Sequence, residues 1–265
     1  MEYQNIVTEK RDGVLIITIN REAKLNALTI ATLQEIKHAV NCGQSDPEIH
    51  GMILTGTGPK AFAAGADISE FANFNNDEGT RMSADGHEVM NSIEEGSKVV
   101  IAAVNGFALG GGCELAMACH MRVASTNAKF GQPEVNLGVP PGYGGTQRLI
   151  QLVGKGKAIE LLVTGDAIDA QTALQLGLVN YVVEQEQLLD KAMEILAKVQ
   201  PKSPSAVHKV LKCVNDYFQP NVNGMQREIY EFGEAFESDD FKEGTTAFME
   251  KRKAEFERKS TYRCY

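Results

Sequence analysis

Short apolar segments of strand type alternate with segments of helical periodicity along the first two thirds of the chain. Three of these segments predict strands, namely residues 14–19, 51–55 and 99–104. The first is a run of β-branched side chains and predicts a largely buried strand. From Thr29, a predicted N-cap, apolar residues recur at helical spacing until Gly43. Alternation of this kind predicts an α/β fold.

The pattern changes near residues 198–204. The last predicted strand covers residues 178–183, and the sequence that follows is nearly all helix-forming. Ser203-Pro204 has the form of a helix cap followed by a first-turn proline. We therefore predict two regions: residues 1–200, which contain the strands, and residues 201–265, which are helical.

Composition excludes several classes of protein. The chain has 265 residues, of which 43% are hydrophobic and 23% are charged, as in an ordinary soluble globular protein. Its formal net charge of -9 argues against a dedicated nucleic-acid binder, which needs a concentrated basic surface. The apolar runs are far shorter than the roughly 20 residues that span a membrane. No targeting pattern is visible at the N-terminus, so we expect a cytoplasmic location.

Cysteines, histidines and one glycine-rich turn carry no clear chemistry. The five cysteines are odd in number and form no Cys-x-x-Cys pair, which indicates reduced thiols. The five histidines lack the spacing of metal ligands, so we expect no metal site. Residues 56–60, Gly-Thr-Gly-Pro-Lys, superficially resemble a phosphate loop but match neither a Walker loop nor a dinucleotide fingerprint.

The most informative segments are two turns of small residues, 63–68 and 105–114. The second contains three consecutive glycines, Gly110 to Gly112, at the predicted start of a helix. Glycines at this position allow close approach of a ligand and leave free N–H groups at the positive end of the helix dipole. Such groups can stabilise a developing oxyanion. The alternative is a tight strand-to-helix turn in which a side chain would clash.

Two acidic residues accompany these turns. Glu114 falls in the first turn of the predicted helix, and Glu134 follows a proline in residues 130–134. Either residue alone would be explained by a structural role, because acids often cap a first helical turn or occupy a turn. Together with the glycine triplet, they form a candidate catalytic set.

At these residues the chain resembles the enoyl-CoA hydratase/isomerase, or crotonase, superfamily. The matching segments cover essentially the whole chain: residues 20–21, 25–28, 60–68, 101–114, 130–134, 141–149, 162–166, 173–179 and 248–252. The resemblance implies a crotonase-like (ClpP/crotonase) spiral of ββα units. It also implies an α-helical C-terminal trimerisation region, so that a homotrimer or a homohexamer made of two trimers is expected.

The resemblance also assigns roles to residues. The backbone N–H groups of Ala66 and Gly111 would form the oxyanion hole. Glu114 would activate water, Glu134 would deliver a proton to C2 of the substrate, and the N–H of Gly142 would contact the water or substrate. The coenzyme A portion would contact one set of residues in the same subunit, namely Ala23, Lys24, Leu25, Ala64, Ala66, Asp67 and Ile68. Phe248 and Lys251 would contribute from a neighbouring subunit.

Lys251 also has a simpler explanation, because it lies four residues before Glu255 in a charged segment predicted to be helical. The acyl pocket is expected in the region 69–98. Four of its side chains could line that pocket or merely pack in the core: Phe71, Phe74, Met82 and Met90.

The function implied is syn hydration of trans-2-enoyl-CoA to 3-hydroxyacyl-CoA, without a cofactor, since coenzyme A is part of the substrate. The alternative is double-bond isomerisation or another enolate-forming reaction on acyl-CoA. Family isomerases often use a single glutamate that matches Glu134, so the presence of Glu114 favours a hydratase. Some superfamily members bind RNA, but the net charge of -9 weighs against this role here.

Overall fold

The computed structural model describes residues 2–258 and contains two sheets and ten α-helices in that range. The strands are β1 (Ile6–Arg11), β2 (Val14–Ile19), β3 (Gly51–Gly56), β4 (Ala61–Ala63), β5 (Val99–Val104), β6 (Phe107–Leu109), β7 (Met121–Ser125), β8 (Lys129–Gly131), β9 (Ile168–Asp169) and β10 (Tyr181–Val183). The helices are α1 (Ile30–Ser45), α2 (Asn76–Glu94), α3 (Gly111–Ala118), α4 (Gly145–Val153), α5 (Lys155–Thr164), α6 (Ala170–Gln175), α7 (Leu188–Val199), α8 (Pro204–Asp216), α9 (Gly224–Ala235) and α10 (Asp239–Glu250).

The two sheets are built by a repeated pair of strands. The larger sheet has the order β1-β2-β3-β5-β7-β10 and the smaller one β4-β6-β8-β9. Each of β3, β5 and β7 is followed within a few residues by a short strand of the smaller sheet. Pairing along both series is parallel, with antiparallel strands β1 and β9 at the edges. The chain therefore forms a spiral of ββα turns.

A buried asparagine stabilises the corner between the two sheets. The Asn105 side chain accepts a hydrogen bond from Gly56 N–H at 3.2 Å and donates to the carbonyls of Gly56 at 2.9 Å and Ala61 at 3.1 Å. These bonds satisfy backbone groups where the chain passes from one sheet to the other, which would be costly to bury unpaired.

The predicted elements are largely confirmed where apolar patterning is strong. Strands at residues 14–19 and 99–104 have the predicted bounds, and Thr29 caps α1 by accepting a hydrogen bond from Thr32 N–H. Ser203 caps α8 in the same way. The edge strand β1 is absent from the prediction because nearly all of its residues are exposed, so its sequence carries no apolar signal.

The C-terminal helices leave many apolar side chains in solvent. Among the described residues of this region, nine are more than half exposed, namely Val210, Val214, Tyr217, Met225, Ile229, Tyr230, Phe232, Phe248 and Met249. Helices dominate this region as expected, while the division into residues 1–200 and 201–265 stays a prediction. Residues 259–265 of that second region lie outside the described residues.

Two further predictions concern cysteines and membrane spans. Cys113, Cys119 and Cys213 are free, whereas Cys42 is disulfide-bonded, so the expectation of reduced thiols is wrong at Cys42. Cys264 lies outside the described residues. In residues 2–258, none of the helices combines the length and apolar composition that crossing a membrane requires.

Candidate active site

The glycine triplet forms a tight turn from β6 into α3. Gly110 has φ +51° and ψ -126°, a conformation that L-residues rarely adopt. A Cβ on Gly112 would lie 2.0 Å from the carbonyl oxygen of Ala63, so any side chain there would force the two segments apart. The tight-turn explanation of the triplet therefore holds, and the same turn leaves the N–H of Gly111 at the start of α3.

Two backbone N–H groups converge at this turn. Leu28 forms backbone hydrogen bonds with the residues on both sides of Ala66. Its N–H donates to Gly65 O and its carbonyl accepts from Asp67 N–H, both at 2.8 Å. The Ala66 nitrogen lies 3.6 Å from the position that a Cβ on Gly111 would occupy. Within residues 2–258, neither Ala66 nor Gly111 donates its N–H to a protein acceptor. The two predicted oxyanion-hole donors are thus brought together and free.

Glu114 lies one turn into α3 and is 1% exposed. Its Oε1 accepts hydrogen bonds from the N–H groups of Tyr143 at 2.8 Å and Gly145 at 2.7 Å. Burial, together with the nearby charge of Glu134, raises the pKa of this carboxyl to about 7, although the two backbone hydrogen bonds and the charge of Arg148 lower it. A carboxyl with this pKa is suited to accept a proton near neutral pH.

Glu134 lies in a short 3₁₀ helix, Pro133–Leu137, on the other side of the glycine turn. Its Oε1 is 3.0 Å from the position of a Cβ on Gly110, so a side chain at position 110 would press against this carboxyl. Its Oε2 is buried without a hydrogen-bond partner in the described chain. Burial raises the pKa of Glu134, which favours the protonated carboxylic acid.

Gln132 lies in the candidate site, although no motif in the sequence marks it. It is 1% exposed, its Nε2 donates to Gly110 O at 3.2 Å, and its Oε1 has no partner in residues 2–258. This oxygen and Glu114 Oε1 both lie within 3.0 Å of the position of a Cβ on Gly145. The interior of the site is therefore rich in acceptors, which suits a water molecule or a protonated carboxyl.

Arg148 fixes the loop that holds Glu114, and it too was absent from the prediction. Its guanidinium donates to Tyr143 O at 2.9 Å, to Asn91 Oδ1 at 2.9 Å and to Glu94 Oε2 at 2.7 Å. The Arg148 side chain is only 7% exposed, so this ion pair is largely shielded from solvent. No local motif marks an arginine on one helix as the partner of a carboxylate at the end of another.

Gly142 lies at the mouth of the same loop. Its carbonyl accepts a hydrogen bond from Ser83 Oγ at 2.6 Å, and its N–H has no acceptor among the described residues. A Cβ on Gly142 would meet no atom within 4 Å, so this stretch of backbone borders open space. Contact of its N–H with water or substrate stays a prediction.

The predicted coenzyme A residues fall into two groups. The turn at residues 23–25 lies beside residues 64–68, because Ala64 N–H donates to Leu25 O at 3.1 Å. An ion pair of 3.2 Å between Arg21 and Asp67 joins the same two segments. Leu25 and Ile68 are 40% and 47% exposed, so both present apolar surface to solvent.

Phe248 and Lys251 lie at the end of α10, where no hydrogen bond or ion pair in residues 2–258 connects them to that group. The helix ends at Glu250, and Lys251 adopts a left-handed conformation with φ 57°. The predicted helical pair of Lys251 with Glu255 is therefore wrong. Glu255 instead donates its N–H to Glu243 Oε1 at 2.7 Å.

Of the side chains proposed for the acyl pocket, Met90 is fully buried in the core, and Phe74 is 36% exposed. Met82 is partly buried and packs beside the core near Tyr143. Across the described part of the chain, no cluster of three or more His, Cys, Asp or Glu side chains is arranged to hold a metal ion.

Comparison with known proteins defines the class of protein to which this fold and site belong. The sequence profile of the enoyl-CoA hydratase/isomerase family matches residues 9–259, and the chain is a member of this family.

Individual relatives are similar over nearly their whole length. A crotonyl-CoA hydratase from Syntrophomonas wolfei is 49% identical over 257 residues, which cover 97% of this chain and 99% of the relative. A short-chain-enoyl-CoA hydratase from Clostridium acetobutylicum is 48% identical over 256 residues, covering 96% and 98%. The crystal structure of an enoyl-CoA hydratase from Bacillus anthracis matches with a TM-score of 0.89 and 38% identity, covering 97% of this chain and 100% of that one. The predicted crotonase-like fold is confirmed.

Proposed function

We propose that this protein is an enoyl-CoA hydratase that adds water syn across the double bond of a trans-2-enoyl-CoA thioester. One observation carries the proposal: two carboxyl groups with raised pKa values, Glu114 and Glu134, flank a turn with two free N–H donors. Hydration needs one group to take a proton from water, another to give a proton to carbon, and donors for the charge that develops between these events.

In the proposed reaction, Glu114 takes a proton from water as the water oxygen bonds to C3. The electron pair of the double bond moves toward the thioester oxygen, and the enolate oxygen accepts hydrogen bonds from Ala66 and Gly111. The carboxylic acid of Glu134 then gives its proton to C2 as the thioester carbonyl re-forms. Glu114 is left protonated and Glu134 ionised, so one proton must pass between them or through water before the next turnover.

Preorganised donors make this chemistry efficient because they need no rearrangement as charge develops. Removing one oxyanion-hole donor typically costs about 3–4 kcal/mol of transition-state stabilisation. The positions of Ala66 and Gly111 are set by backbone geometry, including the positive φ of 98° at Gly65 and of 51° at Gly110. No cofactor enters the proposed reaction, since each step uses a group of this chain, the substrate or water.

The direct test follows the absorbance of the conjugated enoyl thioester after the protein is mixed with crotonyl-CoA. We expect rapid loss of the absorbance with the parent protein, and a loss slower by at least about a hundredfold with Glu114→Gln or Glu134→Gln. Calorimetric binding of a saturated acyl-CoA should be nearly unchanged in both variants. Near-parental turnover in either one would refute its assigned role.

The same variants distinguish the isomerase alternative. An isomerase that shuttles a proton with Glu134 would convert a 3-enoyl-CoA to the 2-enoyl-CoA in the Glu114→Gln variant as fast as in the parent. A hydratase that requires both carboxyl groups would lose hydration in that variant. The presence of Glu114, held in place by the N–H groups of Tyr143 and Gly145, favours the hydratase.

The proposal includes a cytoplasmic homotrimer, which can pair into a hexamer. Its support is the apolar surface of α8, α9 and α10, since a monomer rarely exposes so many large apolar side chains in one region. Sedimentation velocity should give the mass of three or six chains, and Ile229→Glu with Phe232→Glu should reduce it. A parent protein that sediments as a monomer would refute the assembly.

A further inference from the structure

We propose that the side chain of Tyr143 closes the acyl end of the site and restricts the enzyme to short-chain enoyl-CoA substrates. This inference rests on the proposed hydratase function and identifies the residue that sets its chain-length range. It concerns the ring of Tyr143 alone, whereas the backbone of the same residue holds Glu114.

The ring lies between the oxyanion turn and α2. A Cβ on Gly111 would be 3.3 Å from Tyr143 Cε2, so one edge of the ring faces the predicted oxyanion-hole residue. A Cβ on Gly86, in the middle of α2, would be 2.1 Å from Tyr143 Cδ1. The opposite edge therefore fills the space that a side chain on α2 would need. Tyr143 is only 4% exposed, so its ring is buried and packed on both sides.

This position coincides with the path that an acyl chain must take. The thioester carbonyl is assigned to the N–H groups of Ala66 and Gly111, and C2 and C3 to the carboxyl groups of Glu134 and Glu114. Carbons beyond C3 have to continue past Gly111, where the Tyr143 ring lies 3.3 Å from the position that a Cβ on Gly111 would occupy. A short chain ends before the ring, and a longer one collides with it.

Little room remains behind the ring. The recess there has a volume of about 20 Å³ and is bordered by Ile30, Leu33 and Met82 together with Gly86 and Tyr143. A space of this size holds about one water molecule and no alkyl chain. The recess lies between α1 and α2, and Gln34 and Asp85 also border it. Removing the ring would join the active site to this recess and add the volume of the ring to it.

Gly86 is the structural partner that allows the ring to sit there. Any larger residue at position 86 would need the space of the ring and would displace it toward the active site. The pair of a glycine on α2 and a large ring at position 143 therefore forms the proposed chain-length stop.

The experiment compares kcat/KM for trans-2-enoyl-CoA thioesters of four, six and eight acyl carbons in the parent, Tyr143→Phe and Tyr143→Ala. The measured quantity is the eight-carbon to four-carbon ratio within each protein, in which any general loss of activity cancels. Each methylene that becomes buried is worth roughly fourfold in binding, so Tyr143→Ala should raise the ratio at least tenfold. The ratio for Tyr143→Phe should stay within about threefold of the parent because the ring remains. The gain in Tyr143→Ala should appear mainly as a lower KM for the longer substrate.

Several results would overturn the inference. A parent that hydrates four-carbon and eight-carbon substrates equally well has no stop at Tyr143, and an unchanged ratio in Tyr143→Ala would show that the chain passes elsewhere. If Tyr143→Ala does not fold, Tyr143→Leu keeps apolar packing with a smaller side chain and must raise the ratio in the same direction. Absence of hydration at every chain length in the parent would instead refute the proposed hydratase, which is a separate failure.

Discussion

Arg148 donates a hydrogen bond to the carbonyl oxygen of Tyr143, 2.9 Å away, and the N–H of the same Tyr143 donates to Glu114. The Glu114 carboxyl is thus positioned through the main chain of a loop that is itself tied to α2 by the Arg148–Glu94 ion pair. A largely buried pair of this kind is destabilising to break, because one charge is left without its partner.

We expect Arg148→Met to lower hydration and to shift its acid limb to higher pH. The charge of Arg148 lowers the pKa of Glu114, so its removal should raise that pKa. Stability should fall by about 3 kcal/mol or more. The Arg148→Lys variant keeps the charge and should leave the acid limb closer to that of the parent. An acid limb at the same pH in all three proteins would contradict this role for Arg148.

The pH dependence of kcat/KM in the parent should show an acid limb set by Glu114. Because burial raises the pKa of Glu114 to about 7, activity should fall as the pH decreases through about 7 and the base becomes protonated. The rate profile measured with crotonyl-CoA between about pH 5 and pH 9, roughly two pH units on either side of this pKa, tests the expected acid limb. A profile that stays flat down to pH 5 would mean that a different group is the base.

The stability of the protein should also depend on the ionisation of Glu114. Stability should fall as the pH rises, whereas activity should fall as the pH decreases. The folded-state pKa of Glu114 lies above its unfolded value, so its contribution to stability is complete below the ordinary pKa and is lost as the pH rises through about 7. The difference in free energy of unfolding, Glu114→Gln minus parent, should therefore be about 1–3 kcal/mol larger at pH 8 than at pH 5. Urea unfolding at the two pH values measures this difference, and a constant offset between the two proteins would refute it.

Much of this architecture could be predicted because strong local patterns produced it. The β-branched segment 99–104 forms a fully buried strand, and Glu114 occupies the predicted first helical turn. The short strands β4, β6 and β8 could not be predicted by periodicity, since three residues are too few to establish alternation. Their pairing depends on contacts between distant segments.

The partners of the Glu114 carboxyl could not be predicted from the sequence for a related reason. Tyr143 and Gly145 bind Glu114 through backbone N–H groups, which every residue except proline possesses. Gln132 and Arg148 gain their importance only from burial, which depends on the complete fold. Lys251 shows the reverse error, because a charged pattern predicted a helix past the point where α10 ends.

Gly112 gives a further prediction about the tight turn. Gly112→Ala would place a Cβ 2.0 Å from Ala63 O and should reduce both stability and hydration, with a stability loss of about 1–3 kcal/mol or more. The matched control is Gly79→Ala in α2, where a Cβ meets nothing within 4 Å. It should be neutral or stabilising by up to about 1 kcal/mol. Equal effects of the two substitutions on thermal unfolding would contradict the proposed clash.

Lys251 tests the predicted contribution of a neighbouring subunit to coenzyme A binding. Lys251→Glu should raise KM for crotonyl-CoA about fivefold, while a pantetheine thioester that lacks the nucleotide should be affected little. Lys202→Glu introduces the same change of charge at another exposed position and should leave both KM values near those of the parent. Equal increases for both substrates would place the effect of Lys251 away from the nucleotide.

The two roles of Tyr143 have a consequence for how such an enzyme can diversify. Its main chain donates a hydrogen bond to the Glu114 carboxyl, and its ring lies on the proposed path of the acyl group. Exchange of the side chain preserves the N–H and carbonyl that the loop requires, as long as the new residue is not proline. After gene duplication, copies of this enzyme could therefore acquire different substrate ranges at one codon while inheriting the same reaction.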